Sequence, residues 1–169
     1  MRIGVPAETR PHERRVALVP DGVAKLTKAG CTVIVQHDAG TGAYLPDADF
    51  EAAGATIVGS AAEAFAADLV LKVQRPTAEE AALLREGTAL VSFLAPAASA
   101  DLLGALAGRK VTAFAMELVP RTTKAQSMDA LSSQATIAGY KAVLVGADAM
   151  GRILPMLTTA AGTLAPAKV

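Results

Sequence analysis

Between Pro120 and Gln134 the chain reads Pro-Arg-Thr-Thr-Lys-Ala-Gln-Ser-Met-Asp-Ala-Leu-Ser-Ser-Gln, a run in which polar residues of catalytic type sit among small ones. Gln126, Asp129, Ser132 or Ser133, and Thr136 recur at steps of three and four, which on a helix places them on one face. Thr122 or Thr123 is placed to cap a helix that starts just past Pro120, with Arg121 at its entrance. Met128, Leu131, Ala135, Ala138, Ala142 and Val145 take another face, suited to a core. The polar face has the donors and acceptors a planar amide needs: Asp129 accepts, Arg121 donates, and Gln126 and Ser132 do both. A nicotinamide carboxamide is a ligand of this kind, and a carboxylate beside its ring would favour the cationic, oxidised form. The same spacing equally fits an amphipathic surface helix whose polar side meets only water.

The elements upstream read as scaffold. Strands are expected at Ile3 to Pro6, Cys31 to Gln36, Ala55 to Val58, Leu69 to Val73, Ala89 to Phe93 and Val111 to Ala115. Between them lie helices from Pro20 to Gly30, from Asp47 to Ala53, and at about 61 to 66, 78 to 85 and 99 to 107. Ser60 with Glu63, and Thr77 with Glu80, fit the capping box, in which each side chain satisfies the other residue's free backbone N–H. Alternation of this kind predicts an α/β fold, doubly wound, with a mostly parallel sheet and helices on both faces, Rossmann-like or flavodoxin-like. Ligands of such sheets gather at the carboxyl ends of strands, where the loop from Met116 to Thr123 leaves. Gly139 to Met150 continues the long helix, Arg152 to Ala160 reads as a further helical stretch, and Ala165 to Val169 as the start of a strand.

Composition narrows the function. At 169 residues and 52% hydrophobic the chain can bury a core, and with 4% aromatic residues that core is built from Ala, Val, Leu and Ile. Sixteen basic residues balance sixteen acidic ones without a basic run, which argues against nucleic acid as a partner. A single cysteine, Cys31, excludes an intrachain disulfide, and its apolar run gives it a structural role. His12 and His37 have no second ligand at metal spacing and are expected to face solvent, as are Glu79, Glu80, Arg85 and Glu86. The segment Asp38-Ala-Gly-Thr-Gly-Ala lacks the third glycine of a dinucleotide fingerprint, since position 45 is Leu45, and it reads as a loop. Neither a signal peptide nor a membrane span is visible, so a soluble, cytoplasmic polypeptide is expected.

The run from Arg121 to Gln134, followed by Ala138-Gly-Tyr-Lys-Ala, closely resembles the nicotinamide-site loop of proton-translocating NAD(P) transhydrogenases, in the NAD(H)-binding domain of the alpha subunit. The opening, Met1-Arg-Ile-Gly-Val-Pro-Ala-Glu-Thr with Glu13-Arg-Arg-Val-Ala, is similar to the start shared by transhydrogenases and alanine dehydrogenases, and the likeness covers the whole chain. It implies NAD(H) as cofactor, held by Arg121, Gln126, Asp129 and Ser132, with Gln126 and Asp129 closest to the hydride transfer. It implies NADP(H) on a partner domain, a membrane domain that translocates protons, and a homodimer at the inner membrane's cytoplasmic side. Residues 1–140 would form the N-terminal α/β subdomain, and 141–169 connecting helices that lead to a dinucleotide-binding subdomain. The glycine-rich turn of that subdomain is missing here, so this segment alone is expected to bind NADH weakly and to be inactive.

Alanine dehydrogenase is the competing enzyme reading. That family carries a substrate-binding Lys in a Lys-Val-Lys-Glu-Pro type run and a catalytic His in Phe-Leu-His. This chain has Lys72-Val-Gln74-Arg-Pro76 and Phe93-Leu-Ala95-Pro96, so both groups are absent. Arg15 matches that family's carboxylate-gripping arginine, but is expected here to bind backbone or carboxylates of its own loop. Tyr140 is expected to pack. A non-catalytic docking or dimerisation module, with the polar helix face on a protein partner, is the reading from another class.

Overall fold

Six short strands carry the first 120 residues, and the apolar residues along each explain how they stack. In the computed structural model, which describes residues 1–168, the strands are β1 (Arg2–Val5), β2 (Thr32–Gln36), β3 (Thr56–Val58), β4 (Leu69–Leu71), β5 (Ala89–Ser92) and β6 (Thr112–Ala115). They pair in the order β3-β2-β1-β4-β5-β6, every pair parallel. Between them run α1 (Pro20–Lys28), α2 (Asp47–Ala52), α3 (Ala61–Phe65), α4 (Ala78–Leu83) and α5 (Ala100–Gly108). The doubly wound α/β fold is therefore the one expected.

The pleat sends successive side chains to opposite faces. Ile3, Val5, Val33 and Val35 meet Val23 of α1 and Phe50 of α2 in one apolar layer. Ile34, Val70 and Leu90 meet Phe65 of α3, Ala81 of α4 and Leu106 of α5 in the other. Covering both faces is why the strands read as continuous apolar runs rather than alternating ones. Burying each large side chain contributes about 1.5–3 kcal/mol. At Gly4 in β1 the crossing of α3 is so close that a Cβ would collide with the Ala64 carbonyl oxygen and lie 2.9 Å from its carbon.

Local signals set the helix ends. Pro20 opens α1, Asp21 sits in its first turn, Lys25 and Lys28 in its last, and Gly30 leaves at φ +84°, where a side chain would be strained. Both capping boxes form: Ser60 accepts from the Glu63 N–H and Thr77 from the Glu80 N–H, with the glutamates bonded back to the capping N–H groups.

A second compact unit starts at Arg121. Its long helix, α6 (Ala130–Ala149), begins later than expected. Arg121 to Ala125 form no helix, Gln126–Met128 make one 3-10 turn, and Asp129 rather than Thr122 or Thr123 caps α6 by accepting from the Ser132 N–H at 3.0 Å. Aspartate outranks threonine as a cap, and it wins here. The expected core face of α6 is also not seen, for the helix has no buried residue, and Tyr140 is 69% exposed rather than packed. Residue 140, the expected boundary, falls inside this continuous helix. Beyond it, the helix expected from Arg152 to Ala160 is instead an antiparallel hairpin, β7 (Leu157–Thr159) with β8 (Gly162–Leu164). Pro155 breaks a helix, and β-branched Thr158 and Thr163 suit a strand pair, where their hydroxyls meet at 3.1 Å. The strand expected at Ala165 to Val169 does not form over Ala165 to Lys168, and Val169 lies outside the described residues.

Candidate functional site

The start of α6 gathers the polar residues that the sequence singles out. Arg121, Thr122, Thr123, Gln126, Asp129 and Ser132 line one cavity of about 330 Å³. They meet there because a 3-10 turn and a cap fold the segment back, not because they share one face of a continuous helix. Ser132 Oγ donates to Asp129 Oδ2 at 2.7 Å and accepts from an Arg121 terminal nitrogen at 3.3 Å, while Arg121 Nε stands 3.7 Å from Asp129 Oδ2. The Asp129 side chain is 10% exposed against 78% for Arg121, so the guanidinium flanks the mouth and the carboxylate sits within.

Asp129 is held below the usual aspartate range, first by the Ser132 hydroxyl, then by the Ser132 N–H and the Arg121 charge. The positive end of α6 acts in the same direction. Ionised Asp129 is an acceptor only, whereas the Gln126 amide has no hydrogen bond within the described residues and keeps donor and acceptor for a ligand. Thr136, expected on the same polar face, is spent on the Ser132 carbonyl at 3.0 Å. Thr122 and Thr123, read as caps, line the cavity instead, and their position beside Arg121 was the signal for it.

A second polar cluster lies at the carboxyl ends of β1 and β4, and the sequence reading missed most of it. Lys72, with a side chain 0% exposed, places Nζ 2.8 Å from Glu8 Oε2 and 3.3 Å from Glu80 Oε1. Glu8 also accepts from the backbone N–H groups of Val73 and Gln74, and Glu80 accepts from the Thr9 hydroxyl. Glu80 is therefore no solvated residue, as its helix position had suggested, but half of a buried ion pair. Beside it Arg15 donates through Nε and a terminal nitrogen to the two oxygens of Glu13, at 2.8 and 2.6 Å, and Gln74 adds a third bond at 2.7 Å. These bonds, Arg15 foremost, hold Glu13 at about 2 although burial pushes it up. Arg15 thus binds a carboxylate of its own loop, as expected.

His37 is exposed as expected, but the carboxylates of Asp38 and Asp47 stand beside it where no second ligand was expected at metal spacing. Nδ1 lies 2.5 Å from Asp47 and Nε2 3.2 Å from Asp38. The hydrogen bond to Asp47, then the charge of Asp38, raises the imidazole above its ordinary pKa. A raised value means that this contribution to stability is full below the ordinary imidazole pKa and is lost as pH rises through the raised one. Asp47→Asn should move the His37 midpoint back down in an NMR titration of the ring protons. An unmoved midpoint would remove Asp47 as the cause.

With this geometry in view, the comparisons with known proteins decide the lineage. The family model described as "Alanine dehydrogenase/PNT, N-terminal domain" matches residues 4–138. The chain belongs to this family. Within it, the first portion of NAD(P) transhydrogenase subunit alpha from Rhodospirillum rubrum is 51% identical over 175 residues, covering 100% of this chain and 46% of the relative. The solved transhydrogenase of Sinorhizobium meliloti matches with a TM-score of 0.94 at 45% identity, over 99% of this chain and 50% of that one. An alanine dehydrogenase of Mycobacterium tuberculosis is 45% identical over 148 residues, 87% of this chain and 39% of the relative. The chain therefore spans half or less of the length of these relatives. Among the described residues no helix is long and apolar enough to cross a membrane.

Proposed function

We propose that this chain is the N-terminal part of the NAD(H)-binding component of a proton-translocating NAD(P) transhydrogenase. The observation that carries the reading is the cavity at the start of α6, whose donor set fits a nicotinamide and its ribose. The unspent Gln126 amide matches a carboxamide in both directions, and ionised Asp129 accepts from an amide NH2 or a hydroxyl. Arg121, tied to Ser132 and Asp129, orients that carboxylate and leaves further N–H donors for the ligand. When bound, NADH supplies the hydride that passes to NADP+ on the partner domain. Such a transfer needs positioning and electrostatics rather than an acid or base, and neither Lys nor His lines the cavity.

Gln74 and Ala95, standing where alanine dehydrogenases have their Lys and His, weigh against amino-acid oxidation. On this reading residues 141–169 lead to a dinucleotide-binding subdomain. The subunit works as a homodimer, docked with NADP(H)-binding and membrane domains on the cytoplasmic side. The unburied α6 is what favours the second reading, a docking module.

The test uses the intact subunit with a purified NADP(H)-binding domain and follows hydride transfer from NADH to NADP+. Gln126→Ala and Asp129→Asn should each lower the rate about 100-fold, the scale of a small misplacement at a reacting centre, while the complex still forms. L-alanine with NAD+ should give no turnover. Full rates in both variants would overturn the site, and loss of the complex with transfer intact would favour docking.

A further inference from the structure

Three side chains that can ligate a cation meet where the chain leaves β2 and turns into α2. His37 and Asp38 follow β2 directly, and Asp47 is the first residue of α2. One ligand atom from each lies within 4.8 Å of the other two. The imidazole has a carboxylate at either nitrogen: Asp47 Oδ2 stands 2.5 Å from Nδ1, and Asp38 Oδ2 stands 3.2 Å from Nε2. Both carboxylates are themselves held. Asp47 Oδ1 accepts from the Asp38 N–H at 3.1 Å, and Asp38 Oδ1 accepts from the Thr41 hydroxyl at 3.1 Å, which leaves Asp38 Oδ2 turned to the imidazole. His37 and Asp38 open to water, whereas the Asp47 side chain behind them is 19% exposed.

We propose that His37 and Asp38 are the protein ligands of a site for a divalent cation of the zinc class, with Asp47 as the outer carboxylate that orients the imidazole. In a tetrahedral site with bonds of about 2.1 Å, neighbouring ligand atoms stand about 3.4 Å apart. Nε2 and Asp38 Oδ2 are already close to that spacing. A carboxylate on the far nitrogen is the usual companion of a ligating imidazole: it accepts the Nδ1 proton and so leaves the Nε2 lone pair for the ion. Thr41 gives Asp38 the equivalent support. Two carboxylates and a neutral imidazole sum to two negative charges, which one divalent ion cancels. The nitrogen ligand favours zinc, nickel or copper over magnesium and calcium, which take oxygen ligands. Water completes the coordination on the open side. An ion held here fastens the end of β2 to the turn that follows it, and because it binds only the folded arrangement it adds stability. The inference does not depend on the hydride-transfer reading.

The experiment titrates zinc chloride into the metal-free intact subunit, in a buffer that does not chelate, and follows calorimetry together with NMR of labelled histidine rings. The proteins are the wild type, His37→Ala, Asp38→Asn, Asp47→Asn and, as the control, His12→Asn, each checked as folded by circular dichroism. In the wild type the His37 signals should shift and saturate, and magnesium chloride at the same concentration should leave them in place. His37→Ala should lose one bound ion per chain, while His12→Asn keeps it. Asp38→Asn and Asp47→Asn should each weaken that ion about tenfold or more, the scale of losing a ligand's orienting partner. Zinc should also raise the melting temperature of the wild type more than that of His37→Ala. Wild-type His37 signals that stay still as zinc is added would overturn the proposal. So would folded His37→Ala that binds as many ions as tightly as the wild type, and an equal response to magnesium would overturn the class of ion.

Discussion

Lys72→Met should destabilise the chain by about 3–5 kcal/mol, the scale measured when one member of a buried ion pair is removed, and so lower its melting temperature by roughly 10 °C. The reason is the company Lys72 keeps. Its ammonium group is fully buried between Glu8 and Glu80, and methionine fills the same space without the charge. Two carboxylates then remain buried with hydrogen bonds from Val73, Gln74 and Thr9 but without the ammonium group that pairs with both. Replacing both carboxylates together with the lysine, as Glu8→Gln/Lys72→Met/Glu80→Gln, should recover part of the loss, because no unpaired charge is left, although a glutamine at position 8 has one acceptor oxygen for the two N–H groups that the carboxylate took on separate oxygens. Urea unfolding of the three proteins checks this. A loss below about 1 kcal/mol in Lys72→Met, as for an exposed pair, would mean that water reaches the cluster.

Gly4→Ala should be nearly as damaging, about 3 kcal/mol, the upper end of what overpacking costs. The new methyl would overlap the Ala64 carbonyl and lie 3.0 Å from the Ala67 Cβ. The obstacle is backbone, which cannot turn aside as a side chain does. Relief would require α3 to lift from β1, taking the buried Ala64 and Phe65 with it. Gly104 on α5 makes the contrast: nothing lies within 4 Å of a Cβ built there, and the position is exposed and helical. Gly104→Ala should therefore stabilise by about 0.5–1 kcal/mol. Thermal melts of the two variants should move in opposite directions, and a shift of equal sign would defeat the packing argument.

The fold was legible because each of its signals is local. Pro20, Gly30 and the two capping boxes mark helix ends within three or four residues, and apolar runs such as Val33-Ile-Val need only the pleat to place them. At the candidate site the residue identities were legible and the backbone was not. Three-and-four spacing from Gln126 to Ser132 fits a helix, but it fits a 3-10 turn followed by an Asp cap as well, and the choice depends on which residue satisfies the Ser132 N–H. The hairpin at Leu157 was misread because a short apolar run between Pro155 and Gly162 carries too few residues to show a period. Glu80 and Lys72 were unreadable for a different reason. Their partnership spans the distance from α4 to β4, with Glu8 more than sixty residues away in sequence, and no local pattern announces a contact of that range.

The position of β1 also makes its two pairings unequal in range. The first strand of the chain lies in the middle of the finished sheet, paired on one side with β2 and on the other with β4. Its pairing with β2 joins Arg2 to Thr32, whereas its pairing with β4 joins Ile3 to Leu69, a loop closure more than twice as long and correspondingly slower. Lys72 arrives with β4 and meets Glu8 in the same step. The neutralisation of the buried Glu8 carboxylate therefore depends on β4 being in place, and a chain that has made only β1 to β3 gains no stability from Glu8.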